Sequence, residues 1–335
     1  MNKMKSLPRT YNQTQIPRKY IPVRLGSRAS LTWVGILGVA LLLHLSTRSQ
    51  AQSRGVYPAG MSALNSGLTP EPGFTYSNQV LFYSRDEAKS DNGSTLPITG
   101  SNSVLLDLNS LVWVSRKTIL KGAYYSAIAT LPFAKNDLTS DILGNISGGS
   151  GFGDSYFVPL VLGWNKKRFA FRVLYGFLAP TGRFAVGAND NVGSGYWTQT
   201  LSSGQTFYLT KGKLLTLSAY ELYEFHTIQE GTGTHPGGTF DLDYSVARTF
   251  SFRNRSTRLQ IGVDGYEMHQ TTAKTGPAIT AESVKRAICG QRDRIRIERA
   301  FPRRNFNLSL KFFKEFANRA TFQGYSLQVS GGVSF

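Results

Sequence analysis

Histidines are the residues of this chain that most readily suggest catalysis, because they act as general bases, nucleophile activators and metal ligands. The chain has four, His44, His226, His235 and His269. A nucleophile needs a base that a third group orients. The sequence has neither a Gly-x-Ser-x-Gly elbow nor a His-Glu-x-x-His run. We therefore expect the last three histidines to be loop residues, and we predict no catalytic residue, no metal site and no cofactor.

The net charge of +18 is typical of chains that bind nucleic acid. Its distribution argues against that function, because residues 1–51 carry +8 without an acid and residues 282–304 carry +5. The remaining excess is spread along the chain and matches no recognisable binding module. We therefore expect no nucleic-acid partner.

The amino terminus has the layout of a secretory signal peptide. A basic region precedes the apolar run 31–45, and small residues follow at Ser49 and Ala51, the positions that a signal peptidase reads. The competing interpretation is a transmembrane helix, but the run is shorter than the ~20 residues that span a bilayer. We expect a cleavable signal peptide over 1–51, a periplasmic segment over 52–72 and a barrel over 73–335.

The rest of the chain shows two-residue alternation of apolar and polar side chains, which indicates β-strands. The stretches are about ten residues long, the length of a tilted membrane strand. Short basic connections, such as 116–117 and 165–167, alternate with long polar ones, such as 133–153 and 272–291. This pattern favours a transmembrane barrel over a β-sandwich. The sequence predicts an all-β fold, an antiparallel transmembrane β-barrel of about 12 strands.

The final strand shows the alternation most clearly. Tyr325, Leu327 and Val329 share one face, and small or polar side chains such as Gln328 occupy the other. A strand that closes on an aromatic residue, here Phe335, resembles the insertion signal of bacterial outer-membrane barrels. We therefore expect a Gram-negative outer-membrane protein with two partners, the barrel-insertion machinery and outer-membrane lipid. The last strand should close the barrel against the first.

Charged and amide side chains inside strands mark the predicted lumen, since a charge facing lipid at mid-bilayer costs about 2–4 kcal/mol. Nine residues are candidates for lining it: Asp107, Arg172, Asp241, Asp243, Arg258, Gln260, Asp264, Lys311 and Glu315. A solvated wall of paired charges explains them as well as a ligand site does.

Several blocks occur together in a fixed order, at residues 151–164, 179–184, 193–197, 236–244 and 305–316. They resemble the phenol meta-pathway degradation transporter family of outer-membrane proteins over most of residues 57–335. The resemblance implies uptake of aromatic or other hydrophobic compounds. The residues themselves predict structural roles at strand ends and headgroups: Gly153, Asp154, Pro159, Gly163, Trp164, Pro180, Thr181, Gly182, Tyr196, Trp197, Pro236 and Gly237.

The resemblance stops at residues 282–301, which include the single cysteine, Cys289. A compensated frameshift in the gene would explain the abrupt change in composition. A genuine strand would explain it equally well, with Ile295, Ile297 and Phe301 toward lipid and Arg294, Arg296 and Glu298 in the lumen. The second interpretation predicts a pore that prefers anions.

The sequence as a whole predicts an outer-membrane channel, and not an enzyme, for passive uptake of small hydrophobic or aromatic solutes. Two alternatives stay open. One is a surface-exposed hydrolase that uses His226, His235 or His269. The other is a structural or adhesive barrel without transport.

Overall fold

The computed structural model describes residues 57–97, 100–142, 144–252, 257–277, 279, 287–301 and 304–335. For residues 146, 287–301 and 304–305 it describes only the backbone. The chain divides into two compact units, Met1–Arg48 and Ser49–Phe335, and all described residues lie in the second. The predicted signal peptide over 1–51 lies outside the described residues. Within them, no helix is long and apolar enough to cross a membrane.

The described residues form thirteen β-strands. Their bounds are β1 Gly73–Ala88, β2 Gly100–Ile119, β3 Ala123–Ser140, β4 Gly144–Phe152, β5 Ser155–Asn165, β6 Phe169–Ala179, β7 Thr198–Tyr208, β8 Leu215–His226, β9 Thr239–Ser251, β10 Thr257–Gln270, β11 Ala287–Phe301, β12 Arg304–Arg319 and β13 Phe322–Ser334.

Neighbouring strands pair antiparallel around a closed ring, in which β1 pairs with both β2 and β13. One half of β3 pairs with β5, and the other half continues outward and pairs with β4. The ring therefore contains the twelve other described strands, and β4 is an arm folded back on β3. Closure leaves no free edge within this twelve-stranded ring, and β4 has β3 as its strand partner. The predicted antiparallel barrel of about 12 strands is confirmed.

The closing seam lies between the first and last strands, as the sequence predicts. Val80 stands opposite Val329, and the Phe335 N–H donates to the Phe74 carbonyl at 2.8 Å. Along β13, Leu327 is exposed on the outer face, whereas Gln328 is buried inside. The alternation of the final strand thus separates the lipid face from the lumen face.

The two rims of the barrel differ in the length of their connections. One rim, here called the short-turn rim, carries 120–122, 166–168, 209–214, 252–256 and 302–303, and the first and last strands also have their free ends there. The opposite rim, here called the long-loop rim, joins successive strands over 89–99, 180–197, 227–238 and 271–286, and it also carries the two-residue turn 320–321 between β12 and β13. This asymmetry is the one predicted for an outer-membrane barrel.

Two predicted boundaries were wrong. β2 continues through 116–117, because the chain reverses at Leu120, Lys121 and Gly122, where φ is 41°, 61° and 91°. The predicted loop 133–153 contains the end of β3 and all of β4. Its glycines suggested a loop, but β4 gains a backbone partner in the extended β3.

The region of uncertain sequence, 282–301, contributes a strand. The backbone of β11 pairs with both β10 and β12, and the register sets Arg294 opposite Lys311 and Arg296 opposite Ser309. The structure describes only the backbone of β11, so it does not test the predicted directions of the arginine and isoleucine side chains. Residues 280–286 lie outside the described residues. The strand interpretation predicts that resequencing the gene will return an uninterrupted frame.

Residues 57–69, here called the lumen segment, run inside the ring before β1 begins. Thr69 lies near the short-turn rim, where the Asn165 side-chain amide donates to its carbonyl at 2.9 Å. Tyr57 lies farther toward the long-loop rim, where its N–H donates to Glu224 near the end of β8 at 2.7 Å. The sequence analysis expected residues 52–72 to lie in the periplasm. Of these, residues 57–69 instead lie within the barrel.

Candidate functional site

Asp243 on β9 anchors the lumen segment to the wall. Its carboxylate accepts hydrogen bonds from the Tyr57 hydroxyl at 2.6 Å, the Gly60 N–H at 2.8 Å and the Ser62 N–H at 2.9 Å. The carboxylate is almost completely buried. Bonds to an ionised acceptor are roughly twice as strong as neutral ones, so this residue fixes the conformation of the segment.

Donors on β9, β12 and β13 bind the carbonyl groups of the same segment. The Lys311 ammonium donates to the carbonyls of Gly60 and Met61 at 2.6 and 2.8 Å. Ser245 donates to the Ala63 carbonyl at 2.7 Å, and Gln328 donates to the Ala59 carbonyl at 3.0 Å. An irregular chain buried in a barrel leaves its backbone groups without water, and the polar inner wall supplies the missing partners.

Glycines on the wall allow the segment to pass near the short-turn rim. A Cβ atom on Gly163 would lie 1.8 Å from Thr69 Oγ1, and one on Gly204 would lie 2.1 Å from the Ser66 carbonyl oxygen. Both distances are far below van der Waals contact. These two wall positions therefore need glycine for the lumen segment to dock.

A cavity of about 410 Å³ lies inside the barrel beside the lumen segment. Tyr57, Pro58 and Met61 of the segment form part of its wall. The surrounding strands contribute carbon-rich side chains, Leu106, Leu108, Leu178, Leu222, Ala134 and Pro132. The polar lining residues are Ser110, Thr130, Asp154, Tyr156, Ser194, Thr200 and Glu224. The volume and the apolar lining are those of a small-molecule pocket.

Asp154 connects three of the sequence blocks that carry the family resemblance, at one end of this cavity. Its carboxylate accepts the Gly182 N–H at 2.9 Å and the Ser194 N–H at 2.7 Å. Beside it, the Thr181 hydroxyl donates to the Gly153 carbonyl at 3.0 Å. Residues 151–164, 179–184 and 193–197, which are separate in sequence, therefore meet where loop 180–197 borders the cavity.

The other motif residues occupy strand ends or connections. Trp164 near the short-turn rim donates to the Leu120 carbonyl at 3.1 Å, and Trp197 near the long-loop rim is exposed. Tyr196 instead packs on His226, with ring centres 5.2 Å apart. The Pro159 carbonyl accepts a hydrogen bond from Tyr125, and the Pro236 carbonyl accepts one from Gln270. Pro180 directly follows β6. Gly237 has a φ of 83°.

Eight of the nine lumen candidates lie at inward positions of the strands. Asp243 and Lys311 hold the lumen segment, as described above. Glu315 pairs with Arg85, whose Nη2 lies 2.6 Å from a carboxylate oxygen. The remaining inward residues are Asp241, Asp264 and Gln260, which are buried, Arg172, which is half-buried, and Arg258, which is exposed near the short-turn rim.

The ninth candidate, Asp107, was wrongly predicted to face the lumen. Its neighbours of the same parity, Leu105 and Leu111, are 44% and 49% exposed, whereas Leu108 is buried. On the outer face, the Asn78 side-chain amide donates to Asp107 Oδ1 at 2.5 Å. The prediction failed because it assumed a polar inner wall, and at β2 the inner wall is the apolar side of the cavity.

His226 does not form an accessible catalytic site. Thr198 Oγ1 lies 2.8 Å from His226 Nδ1, and Glu224 Oε2 lies 3.6 Å from His226 Nε2. The side chains of His226 and Glu224 are fully buried, and Thr198 is 0% exposed. The prediction of loop positions was wrong for His226 and His269, which belong to β8 and β10. His235 lies in connection 227–238. The described residues contain no group of three His, Cys, Asp or Glu suited to a metal ion.

Comparisons with known proteins agree with this architecture. A family described as putative MetA-pathway of phenol degradation matches residues 85–330. No curated protein matches the chain. An outer-membrane channel of Pseudomonas putida F1 is 14% identical, with a TM-score of 0.64, over 84% of this chain and 100% of that one.

Two further solved structures are less similar. The β-domain of the Bordetella autotransporter BrkA is 10% identical, with a TM-score of 0.48, over 78% of this chain and 100% of that one. The Pseudomonas putida toluene transporter TodX is 9% identical, with a TM-score of 0.38, over 85% and 94%. The likeness to the Pseudomonas putida F1 channel establishes the fold as an outer-membrane β-barrel.

Proposed function

We propose, from the premise that the chain belongs to the family described as putative MetA-pathway of phenol degradation, that this outer-membrane barrel is a passive channel for small hydrophobic and aromatic solutes. The observation that carries the proposal is the largely apolar cavity of about 410 Å³ inside the barrel. A water-filled pore lined by charges would offer an aromatic ring no such surface.

The lining of the cavity suits an aromatic solute with few polar groups. Leu106, Leu108 and Leu222 cover the ring, and each square ångström of apolar surface removed from water contributes about 25 cal/mol. The hydroxyl groups of Tyr156 and Thr200 bind each other at 2.8 Å, so they add little demand for a polar ligand. Shape and apolar area therefore select the solute.

The lumen segment sets the path below the cavity. It fills the barrel between the cavity and the short-turn rim, where Thr69 meets Asn165. A solute that leaves the cavity in that direction has to pass Tyr57 and the residues that follow it. We propose that this passage is downhill and involves no chemical reaction.

The proposal includes two partners besides the solute. Outer-membrane lipid contacts the exposed aromatic and aliphatic belt, which includes Phe74, Leu308 and Leu327. The barrel-insertion machinery would read the last strand, which ends next to Phe335 at the closing seam.

Solute influx into proteoliposomes tests the function. Vesicles containing the refolded protein are compared with protein-free vesicles, with benzamide as the aromatic solute and glucose as a polar solute of similar size. We expect the protein to accelerate benzamide influx more than glucose influx. Benzamide influx equal to that of protein-free vesicles, or faster glucose influx, would contradict the proposal.

A further inference from the structure

Arg172 is an inward-facing cation on β6 that has no carboxylate partner in the described part of the chain. Its Nε is buried and makes no hydrogen bond there, and the ion pairs among described residues involve other side chains. The guanidinium carbon lies 5.9 Å from the centre of the Tyr220 ring. Its other electrostatic neighbours are the phenol groups of Tyr57 and Tyr156.

Other inward cations of the barrel have partners. Arg85 donates to both carboxylate oxygens of Glu315 at 2.6 to 3.0 Å. Lys311 donates to two carbonyls of the lumen segment. A buried charge is normally paired, so an unpaired guanidinium in a solute path is a candidate binding group.

The positions directly opposite Arg172 in the sheet carry no side-chain acceptor. Gly163 of β5 and Gly204 of β7 stand directly opposite it in the sheet. Neither position offers an oxygen beyond the backbone. Thr69 and the Ser66 carbonyl of the lumen segment lie over these two glycines, so a ligand has to approach the half-buried guanidinium past the lumen segment.

Two tyrosines connect this cation to the cavity. Tyr57 and Tyr156 line the cavity and are also neighbours of Arg172. Tyr57 further packs against Tyr220, with ring centres 5.7 Å apart. The guanidinium, Tyr220 and Tyr57 thus form a chain of ring contacts that reaches the cavity wall at Tyr57 of the lumen segment.

Two acids of the cavity do not cancel this positive charge. Asp154 accepts two backbone N–H groups, and Glu224 accepts the Tyr57 N–H at 2.7 Å and the Thr239 hydroxyl at 2.6 Å. Each carboxylate has its own donors, which disperse its negative charge. Neither forms an ion pair with Arg172.

We propose that Arg172 binds the carboxylate of small aromatic acids, so that aromatic carboxylates are preferred solutes of the channel. The inference rests on the proposed transport function. A guanidinium offers a planar pair of donors that matches a carboxylate, and the adjacent apolar cavity accommodates the ring.

Benzoate and benzamide, which have nearly the same size and shape but differ in charge, provide the test. Influx of each into proteoliposomes is measured for the wild type, Arg172→Gln and Arg172→Lys. A fixed charge raises the capture rate of an opposite ion by about tenfold or more. We expect Arg172→Gln to lower benzoate influx by about tenfold and to change benzamide influx less than twofold, with Arg172→Lys retaining part of the benzoate rate.

The controls separate this inference from the proposed function. In the wild type, benzoate influx should exceed benzamide influx after subtraction of protein-free vesicles, a comparison that needs no variant. Equal loss of both solutes in Arg172→Gln, or an unchanged benzoate rate, would overturn the assignment of Arg172. If neither solute enters wild-type vesicles faster than protein-free ones, the transport function itself fails.

Discussion

Asp241 and Asp243 occupy successive inward positions of β9 and are almost equally buried, yet they have different roles. Asp243 accepts three hydrogen bonds from the lumen segment. Both carboxylate oxygens of Asp241 lack a hydrogen-bond partner within the described residues. Its inward neighbours on the adjacent strands are Leu222 and Met268. Variants of the two residues therefore distinguish the effect of losing the anchor of the lumen segment from the effect of losing a buried carboxyl group.

Asp243→Ala should release the lumen segment, because three donors lose a charged acceptor. A hydrogen bond to a charged group is worth about 1.5–3 kcal/mol, so we expect the free energy of unfolding to fall by at least about 2 kcal/mol. Single-channel conductance should rise as the segment becomes mobile. Planar-bilayer recordings and denaturant titrations in detergent measure the two effects.

Asp241→Asn is the matched control for that prediction. It removes a buried carboxyl group that binds no part of the segment, and we expect conductance close to that of the wild type. Unchanged conductance in Asp243→Ala, or the same increase in both variants, would contradict the anchoring role of Asp243.

Residue-level predictions from sequence succeeded where the inner wall is polar. The inward positions of Asp243, Lys311 and Gln260 follow from alternation alone. Asp107 was wrong because β2 turns its more apolar face inward. Alternation separates the two faces of a strand, but it does not decide which one meets lipid when both are partly apolar.

The lumen segment is the element with the largest effect on how the barrel is filled. Its docking depends on close approach at Gly163, where even a methyl group would collide with Thr69. Its hydrogen bonds to Asp243 and Lys311 hold the opposite part. The strands form the barrel wall, and the lumen segment determines how much of the lumen stays open.

Gly163→Ala should displace the segment near the short-turn rim, because the new methyl group would occupy the position of Thr69 Oγ1. We expect higher conductance and faster proteolysis within residues 57–69. Gly331→Ala is the control, since its nearest neighbour would be the Asn307 carbonyl oxygen at an ordinary 3.7 Å. Unaltered conductance in Gly163→Ala would show that the segment does not restrict the lumen.

The strands could be predicted from sequence because each carries its own two-residue period, which is a local signal. The lumen segment could not, because its position depends on partners such as Asp243 and Lys311, which lie far away in the chain. Small residues at Ala59, Gly60 and Ala63 are the only hint that this stretch passes through a confined space. β4 was missed for a similar reason, since it is defined by pairing with β3.

At the scale of the whole molecule, the barrel contains an apolar cavity and, beside it, the lumen segment. The cavity uses side chains from β2, β3 and β5 to β8 together with Tyr57 and Met61. The sequence of any one strand therefore does not reveal the cavity. The resemblance of the sequence blocks implies aromatic or other hydrophobic solutes, and the apolar cavity supports that proposal.

The most direct test of this account is benzamide influx into proteoliposomes for Leu108→Trp beside Leu105→Trp. Leu108 lines the cavity, whereas Leu105 on the same strand is exposed on the outer face. Heat-modifiable migration on gels first establishes that both variants are folded. If solutes pass through the cavity, Leu108→Trp will lower influx severalfold and Leu105→Trp will leave it unchanged. Equal influx in the two variants would contradict the account.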